Sequence, residues 1–138
     1  MKRIENEYWV FYVDIDRASK ELDEKKCGKW MYFFNDVTFA DKMVSNAVKD
    51  GIVAEAKRSN SAGGVCCFYL NIDDVDTHKK VIKYFLDNNL IQKTKIGRLF
   101  NISFKLDTQT LAGQYRGDFK AELKLSDFID LQTGLFIK

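Results

Sequence analysis

Hydrophobic and polar residues alternate along several short segments of the chain, and the alternation predicts β-strands. Glu7–Ile15 and Gly28–Phe34 are rich in aromatic residues, and Val65–Ile72 is apolar on both faces. Period-two spacing gives the second strand two faces, one with Lys29, Met31 and Phe33 and the other with Trp30, Tyr32 and Phe34. Because both faces are largely apolar, we expect this strand in the interior of a sheet.

Two further segments carry apolar residues at helical spacing. The first, Val37–Asp50, follows Asn35 and Asp36, either of which can cap it, and Gly51 marks its end. The second, Val75–Asn88, begins beside acidic residues, which the positive end of a helix favours. The predicted buried positions are Ala40, Met43, Val44, Ala47 and Val48 in the first helix, and Val75, Ile82, Phe85 and Leu86 in the second.

Weaker patterns complete the order of elements. Asp16–Lys26 is either a short surface helix or a loop, Ala54–Ser59 is a short strand, and Ser126 can cap a last short helix before a final edge strand. Gly97–Leu106 is a predicted strand whose apolar face carries Phe100, Ile102, Phe104 and Leu106. This order predicts an α+β fold, with a mainly antiparallel sheet backed by two principal helices.

Composition limits the class of protein. The 138 residues are 46% hydrophobic and 14% aromatic, which suits a single domain over residues 1–138 with a core of its own. The 22 basic and 20 acidic residues leave a net charge of +2, which argues against an extended nucleic-acid surface. The N-terminus has neither a signal peptide nor a membrane span, so we expect a cytoplasmic protein with no membrane partner.

The cysteines and the one histidine favour structural roles. The chain has three cysteines, Cys27, Cys66 and Cys67. An odd number, with two of the residues adjacent in an apolar strand, is typical of reduced, buried thiols. The sequence has no CxxC pair, so we expect no metal, and no motif calls for a cofactor. His78 falls on the core side of the second helix by its spacing, and we expect a buried structural histidine rather than a catalyst.

Basic residues on or beside the predicted strands are the candidates for ligand binding. Lys105 lies between two apolar residues on its strand, where a charge requires a partner or a ligand. Tyr115 and Arg116 follow in a glycine-flanked turn that can line a cleft. The other candidates are Lys29, Lys57 and Arg98. Alternation puts Lys57 and Arg58 on opposite faces of the sheet, so only one of the two can share a pocket with Lys105.

Four motifs occur in an order that resembles a known family. They are GKWMYFF (Gly28–Phe34), AEAKRSN (Ala54–Asn60), the VCCFYL strand, and GRLFNISFKLDTQTLAGQY (Gly97–Tyr115). Within about residues 8 to 117 the chain resembles the basophilic leukaemia expressed protein family, also labelled phosphothreonine-lyase domain proteins. The tail after Gly117 is not covered.

The resemblance implies a fold similar to the cap-binding translation initiation factor, in which a curved antiparallel sheet backed by helices binds nucleotides on its concave face. It implies that the concave site is lined by Lys29, Lys57, Arg98, Lys105 and Tyr115. True phosphothreonine lyases remove phosphate by β-elimination with a lysine base and a histidine acid. His78 lies outside the matching motifs, so the resemblance supplies lysines and no acid.

The expected function is a small binding module for a nucleotide or other phosphorylated small molecule. We expect Lys57, Lys105 and Tyr115 to converge on one face of the sheet, with Arg98 or Arg116 at the rim. One alternative is a phosphate-eliminating lyase, and a second is a protein–protein adaptor or inhibitor of bacterial or phage origin, with a protein partner. The sequence does not decide whether the protein is an enzyme, and it identifies no catalytic residue.

Overall fold

The computed structural model describes residues 1–108 and 122–138. These residues form ten helices and strands in an α+β arrangement. In chain order the elements are β1 (Lys2–Glu5), β2 (Trp9–Val13), α1 (Ile15–Glu21), β3 (Cys27–Phe34), α2 (Val37–Lys49), β4 (Glu55–Ser59), β5 (Gly64–Asn71), α3 (Val75–Asp87), β6 (Ser103–Leu106) and β7 (Leu123–Lys124).

The strands form a seven-stranded sheet in the order β1-β2-β4-β5-β3-β6-β7. Every neighbouring pair is antiparallel, which confirms the predicted fold class. The strand β3 pairs with β5 along its whole length and with β6 at Gly28 and Lys29, so its predicted interior position is confirmed. Gly28 is required there, because a Cβ at this position would lie 2.6 Å from the Lys105 carbonyl oxygen.

The two long helices pack on one face of the sheet. Asp36 caps α2 by accepting a hydrogen bond from the Phe39 N–H, and Asp74 caps α3 in the same way through Thr77. All five predicted core positions of α2 are buried, and Gly51 follows the helix with φ of 76°. The buried side chains of α3 are His78, Val81, Ile82 and Phe85.

Part of the predicted stripe of α3 is wrong. Val75 is 49% exposed, because it begins the helix at the edge of the packed layer. Leu86 is half-buried and packs against the core from its margin. Hydrophobicity alone placed both residues in the stripe, whereas the observed stripe includes the polar ring of His78.

The strand predicted over Gly97–Leu106 is shorter than expected and begins at Ser103. Gly97 has φ of 85° in a turn, and the Leu99 and Phe100 N–H groups donate to the carbonyls of Leu131 and Gln92. These loop-to-loop bonds replace a strand ladder over residues 97–102 and leave Phe100 45% exposed instead of in the core. Phe104 and Leu106 are buried as predicted.

The short elements at the two termini were predicted incompletely. The first strand, β1, has four exposed residues and no apolar face to reveal it. The ambiguous segment Asp16–Lys26 is helical as far as Glu21 and forms a turn after it, so each of its two interpretations holds for one part. Near the C-terminus a single 3₁₀ turn, Leu125–Asp127, replaces the short helix expected from Ser126, and the final strand is reduced to one bridge between Ile129 and Phe136. Among residues 1–108 and 122–138, no helix has the length and apolar character to cross a membrane.

Candidate ligand-binding face of the sheet

Three lysines lie on the face of the sheet opposite α2 and α3. Lys57 is opposite Cys67, Lys29 is opposite Tyr69, and Lys29 is also opposite Lys105. Directly opposed residues of an antiparallel sheet project to the same side, and so do residues two apart in one strand. Lys29, Lys57 and Lys105 therefore share one face, which we call the lysine face.

Lys57 lies at the centre of an aromatic enclosure on this face. Its Nζ is 3.7 Å from the centroid of the Trp9 ring, 5.5 Å from that of Phe11 and 5.7 Å from that of Tyr69. Burial lowers the pKa of the Lys57 ammonium, and the charge of Lys29 lowers it further. The rings attract a cation, so the enclosure holds the amine in place while it removes the amine from water.

Lys29 and Lys105 are directly opposed ammonium groups on neighbouring strands. Lys29 is 8% exposed, and its Nζ lies 2.9 Å from the Asp107 Oδ1. Burial lowers the pKa of Lys105, and the charge of Lys29 adds to this effect. Opposed like charges destabilise an antiparallel pair. Asp107 supplies one negative charge beside this pair, and a bound anion would add another.

The groups between the lysines include one further acid and several neutral polar side chains. Glu55 lies two residues before Lys57 on the same face, and burial raises its pKa, although the charge of Lys57 opposes the change. Burial also raises the pKa of the Tyr69 phenol and of the Cys67 thiol, and it raises that of Cys27 to about 12. The phenol and both thiols are therefore neutral at physiological pH, and the charges of this face are those of its lysines and carboxylates.

The charge on this face is positive when its described residues are counted. The register also places the exposed Lys2 and Lys124 on this side, so five ammonium groups, on Lys2, Lys29, Lys57, Lys105 and Lys124, share the face with two carboxyl groups, on Glu55 and Asp107. The partly buried charges of the face are screened by salt less than exposed charges are. The arrangement is suited to hold an anion, with the ring of Trp9 beside it as a half-buried flat surface.

Arg58 has a structural role on the opposite, helix-covered face. Its Nε donates to the Asp41 Oδ1 at 2.8 Å, and the Tyr12 hydroxyl donates to the same oxygen at 2.8 Å. This confirms the prediction that Lys57 and Arg58 lie on opposite faces. The carboxylate of Asp41 joins α2 to the sheet through two strands, β2 and β4.

His78 is also on the helix-covered face, as its spacing predicted. It is completely buried, its Nδ1 lies 3.0 Å from the Trp30 Nε1, and its Nε2 lies 2.8 Å from the Ile72 carbonyl oxygen. The indole nitrogen can only donate, so Nδ1 accepts and we assign the proton to Nε2. Burial lowers the pKa of this imidazole. Because Trp30 and Lys29 are consecutive residues of β3, His78 and the lysines are on opposite sides of the sheet.

The structure brings together only some of the predicted site residues. Lys29, Lys57 and Lys105 share the lysine face, as the hypothesis of convergence requires. Arg98 is exposed in the turn before β6, and its charge helps to lower the pKa of Asp130, after the hydrogen bonds that this carboxylate accepts from the Thr133 and Gln132 N–H groups. The remaining two candidates, Tyr115 and Arg116, lie outside the described residues.

Sequence reasoning missed several members of this face. Phe11 was assigned only to a strand, although its spacing with Trp9 and Val13 identifies one face of β2. Asp107 is two residues after Lys105, and Glu55 is two residues before Lys57, so the same spacing could have found both acids. Within residues 1–108 and 122–138, no group of three or more His, Cys, Asp or Glu side chains could hold a metal ion.

No protein-family model matches this chain, and no curated protein matches it. The family resemblance based on short motifs therefore stays a prediction.

Proposed function

We propose that the protein is a binding module for a phosphate-bearing small molecule or nucleotide, which it holds on the lysine face. The observation that carries the proposal is the presence of Lys29, Lys57 and Lys105 on one face of three strands, with the first and last directly opposed. A phosphate group accepts charge-assisted hydrogen bonds from ammonium groups, and three lysines on one face offer several such donors.

The aromatic residues support a ligand with a flat group attached to its phosphate. Trp9 is half-buried at the margin of the face, beside Lys57. A base stacked on an aromatic side chain contributes about 1–3 kcal/mol, and this contribution does not depend on which base it is. A nucleotide would use both parts of the site, whereas inorganic phosphate would use only the lysines.

Thermal unfolding in the presence of four phosphate-bearing compounds tests the proposal. Inorganic phosphate, AMP, ATP and a phosphothreonine peptide are compared with adenosine and with the unphosphorylated peptide, because a ligand bound only by the folded state raises Tm. We expect at least one phosphate to raise Tm and its unphosphorylated counterpart to have no effect. If no phosphate raises Tm, or if the counterparts raise it equally, the proposal is wrong.

Variants connect such binding to the lysine face. A hydrogen bond to a charged group contributes about 1.5–3 kcal/mol, so Lys105→Gln should weaken binding about ten-fold or more. Lys83→Gln is the matched control, because Lys83 is on α3 and its side chain is 68% exposed. Equal affinities for the two variants would place the ligand elsewhere. Added salt should weaken binding, but less steeply than at a fully exposed patch.

The lyase alternative would need a proton donor on the lysine face other than His78. The imidazole of His78 is buried on the far side of the sheet, with both nitrogens engaged. Glu55 is the group on the lysine face whose raised pKa suits a general acid. Binding requires only the lysines and the aromatic rings, so it is the function that this geometry favours.

Protein binding is a second candidate, and a groove at the edge of β3 favours it. The strand β6 pairs with β3 at Gly28 and Lys29, whereas β5 follows β3 as far as Phe34. Beside the remaining part of β3 lies a groove of about 370 Å³, lined in part by Phe33 and Phe100, which are 67% and 45% exposed. An extended peptide could add to this edge as a strand.

Selection from a library of random heptapeptides tests this candidate. We expect enrichment of peptides with alternating apolar residues on the parent protein and no enrichment on Phe33→Glu, which places a charge in the groove. Enrichment that is equal on the two proteins would count against binding at this edge.

A further inference from the structure

Lys57 differs from the exposed lysines of the protein in its immediate surroundings. Three aromatic rings, those of Trp9, Phe11 and Tyr69, lie within 6 Å of its Nζ, as measured to their centroids. Lys83, by comparison, has a side chain that is 68% exposed and paired with Asp87. The amine of Lys57 is thus held in one place, largely removed from water, and close to another cation.

The charged groups near Lys57 come from three parts of the sheet, and its neighbouring strand β5 supplies neutral groups. Lys29 on β3 is the cation, Glu55 on β4 and Asp107 after β6 are the acids, and the neutral Cys67 and Tyr69 lie on β5. Both acids favour the ammonium form, whereas burial and Lys29 favour the free amine, and the balance lowers the pKa of Lys57. Desolvation and a neighbouring cation are the two effects that activate a lysine as a nucleophile.

We propose that Lys57 condenses with the carbonyl group of a phosphate-bearing aldehyde or ketone and forms an imine, while Lys29 and Lys105 hold the phosphate. The proposal rests on the proposed function for the recognition of the phosphate, and on the surroundings of Lys57 for the covalent step. The substrate of the lysine face would then be a phosphorylated carbonyl compound with a flat or apolar group near the carbonyl.

The reaction requires no reagent beyond the protein and the carbonyl compound. The lone pair of the Lys57 Nζ attacks the carbonyl carbon, a C–N bond forms, and a proton passes from nitrogen to oxygen to give a carbinolamine. The hydroxyl group of this intermediate is protonated and leaves as water, and the nitrogen lone pair completes the C=N bond. Glu55 lies two residues before Lys57 on the same face and is the group placed to donate and recover this proton.

Pyridoxal 5′-phosphate is a suitable probe, because it joins an aromatic aldehyde to a phosphate. The folded protein is incubated with the probe, the imine is reduced with borohydride, and the labelled lysines are identified by peptide mass spectrometry. We expect Lys57 to be labelled first. Its labelling rate should exceed that of exposed lysines such as Lys83 near neutral pH, since a lowered pKa increases the fraction of free amine.

Two variants and one analogue sharpen the test. Lys57→Arg keeps a cation but has no amine that can be labelled, so the fastest labelling should be lost. Lys83→Arg should leave the labelling rate of Lys57 unchanged. Pyridoxal, which has no phosphate, should label Lys57 more slowly than the phosphorylated probe, and Lys105→Gln should remove this difference. The labelling pattern of the unsubstituted protein decides the proposal even if a variant fails to fold.

The outcomes separate this inference from the proposed function. Labelling spread evenly over the exposed lysines, while AMP or inorganic phosphate still raises Tm, would overturn the imine and leave phosphate binding intact. Fast labelling of Lys57 at equal rates by pyridoxal and its phosphate would overturn the phosphorylated substrate class, and with it phosphate recognition at this face. Preferential labelling of Lys57 by the phosphorylated probe would support both.

Discussion

The polar groups on the two faces of the sheet differ in how they are paired. On the helix-covered face, Arg58 and Tyr12 both donate hydrogen bonds to Asp41, and His78 is bonded through both ring nitrogens. On the lysine face, Lys29 and Lys105 are directly opposed, and burial lowers the pKa of Lys57. The first face is built for stability, whereas the second retains charge arrangements that cost stability, which is typical of a binding site.

The largest expected effect tests the helix-covered face as the source of stability. Phe68 is completely buried, and its ring centroid lies 5.1 Å from that of Phe85. Phe68→Ala leaves a cavity between sheet and helices, and we expect it to lower the free energy of unfolding by about 3–5 kcal/mol. Urea unfolding followed by circular dichroism measures this change. A loss below about 1 kcal/mol would show that the core is not where the stability lies.

The second prediction concerns the charge of Arg58, which is 8% exposed. Asp41→Ala removes the acceptor shared by Arg58 and Tyr12, so we expect the free energy of unfolding to fall by about 1–3 kcal/mol. Asp87→Ala is the matched control, since Asp87 pairs with Lys83 on the exposed side of α3, and a change near zero is expected. Equal losses in the two variants would contradict a special role for the buried network.

The hydrogen bonds of Arg58 also show which features a sequence can predict and which it cannot. Period-two spacing was enough to separate Lys57 from Arg58, because neighbouring residues of a strand project to opposite sides. The common side of Lys57 and Lys105 was a hypothesis, since it depends on the register of the strands between them. The spacing could not show that Asp41, seventeen residues before Arg58, is the partner of that guanidinium, since such a contact depends on how α2 lies across the sheet. The same limit applies to the rings around Lys57, which come from the two strands on either side of β4, namely β2 and β5.

The loop before β6 illustrates a second limit. Alternating residues from Phe100 to Leu106 predict a longer strand than the one that forms. The backbone of residues 99 and 100 is bonded to Leu131 and Gln92 instead, which are distant or irregular partners that no local pattern reveals. Arg98 was expected at the rim of the site on the strength of that strand. It lies in the turn before β6, where its charge helps to lower the pKa of Asp130.

The third prediction uses the buried imidazole as a probe of the helix-covered face. The pKa of His78 is lower in the folded protein than its ordinary value of 6.5, so below that pH the unfolded chain binds more protons. The free energy of unfolding should therefore fall as the pH is lowered from about 6.5, by at most about 1.4 kcal/mol per pH unit.

The comparison variant for this prediction is His78→Gln, which keeps one donor and one acceptor in the side chain. The decrease between pH 6.5 and pH 5 should be smaller in the variant, as measured by urea unfolding at each pH. If the parent and the variant depend on pH in the same way, then the imidazole does not carry this part of the acid sensitivity.

The smallest expected effect has the opposite sign and tests the lysine face. Burial lowers the pKa of Lys57, so the unfolded chain holds the proton of this ammonium more tightly than the folded protein does. This difference lowers stability at neutral pH, where Lys57 is still an ammonium group in the unfolded chain. Replacement by a side chain of similar length without a charge removes this cost. It also gives up the attraction of the Trp9 ring for the cation, so the net gain is small.

We therefore expect Lys57→Met to raise the free energy of unfolding by about 0.5 kcal/mol while it weakens phosphate binding. The two measurements have to be made on the same variant, by urea unfolding and by titration with the phosphate that raises Tm most. The same substitution at the exposed Lys83 should change neither quantity. A Lys57→Met protein that is both less stable and unchanged in phosphate affinity would assign Lys57 to structure, and the contrast between the two faces would then be wrong.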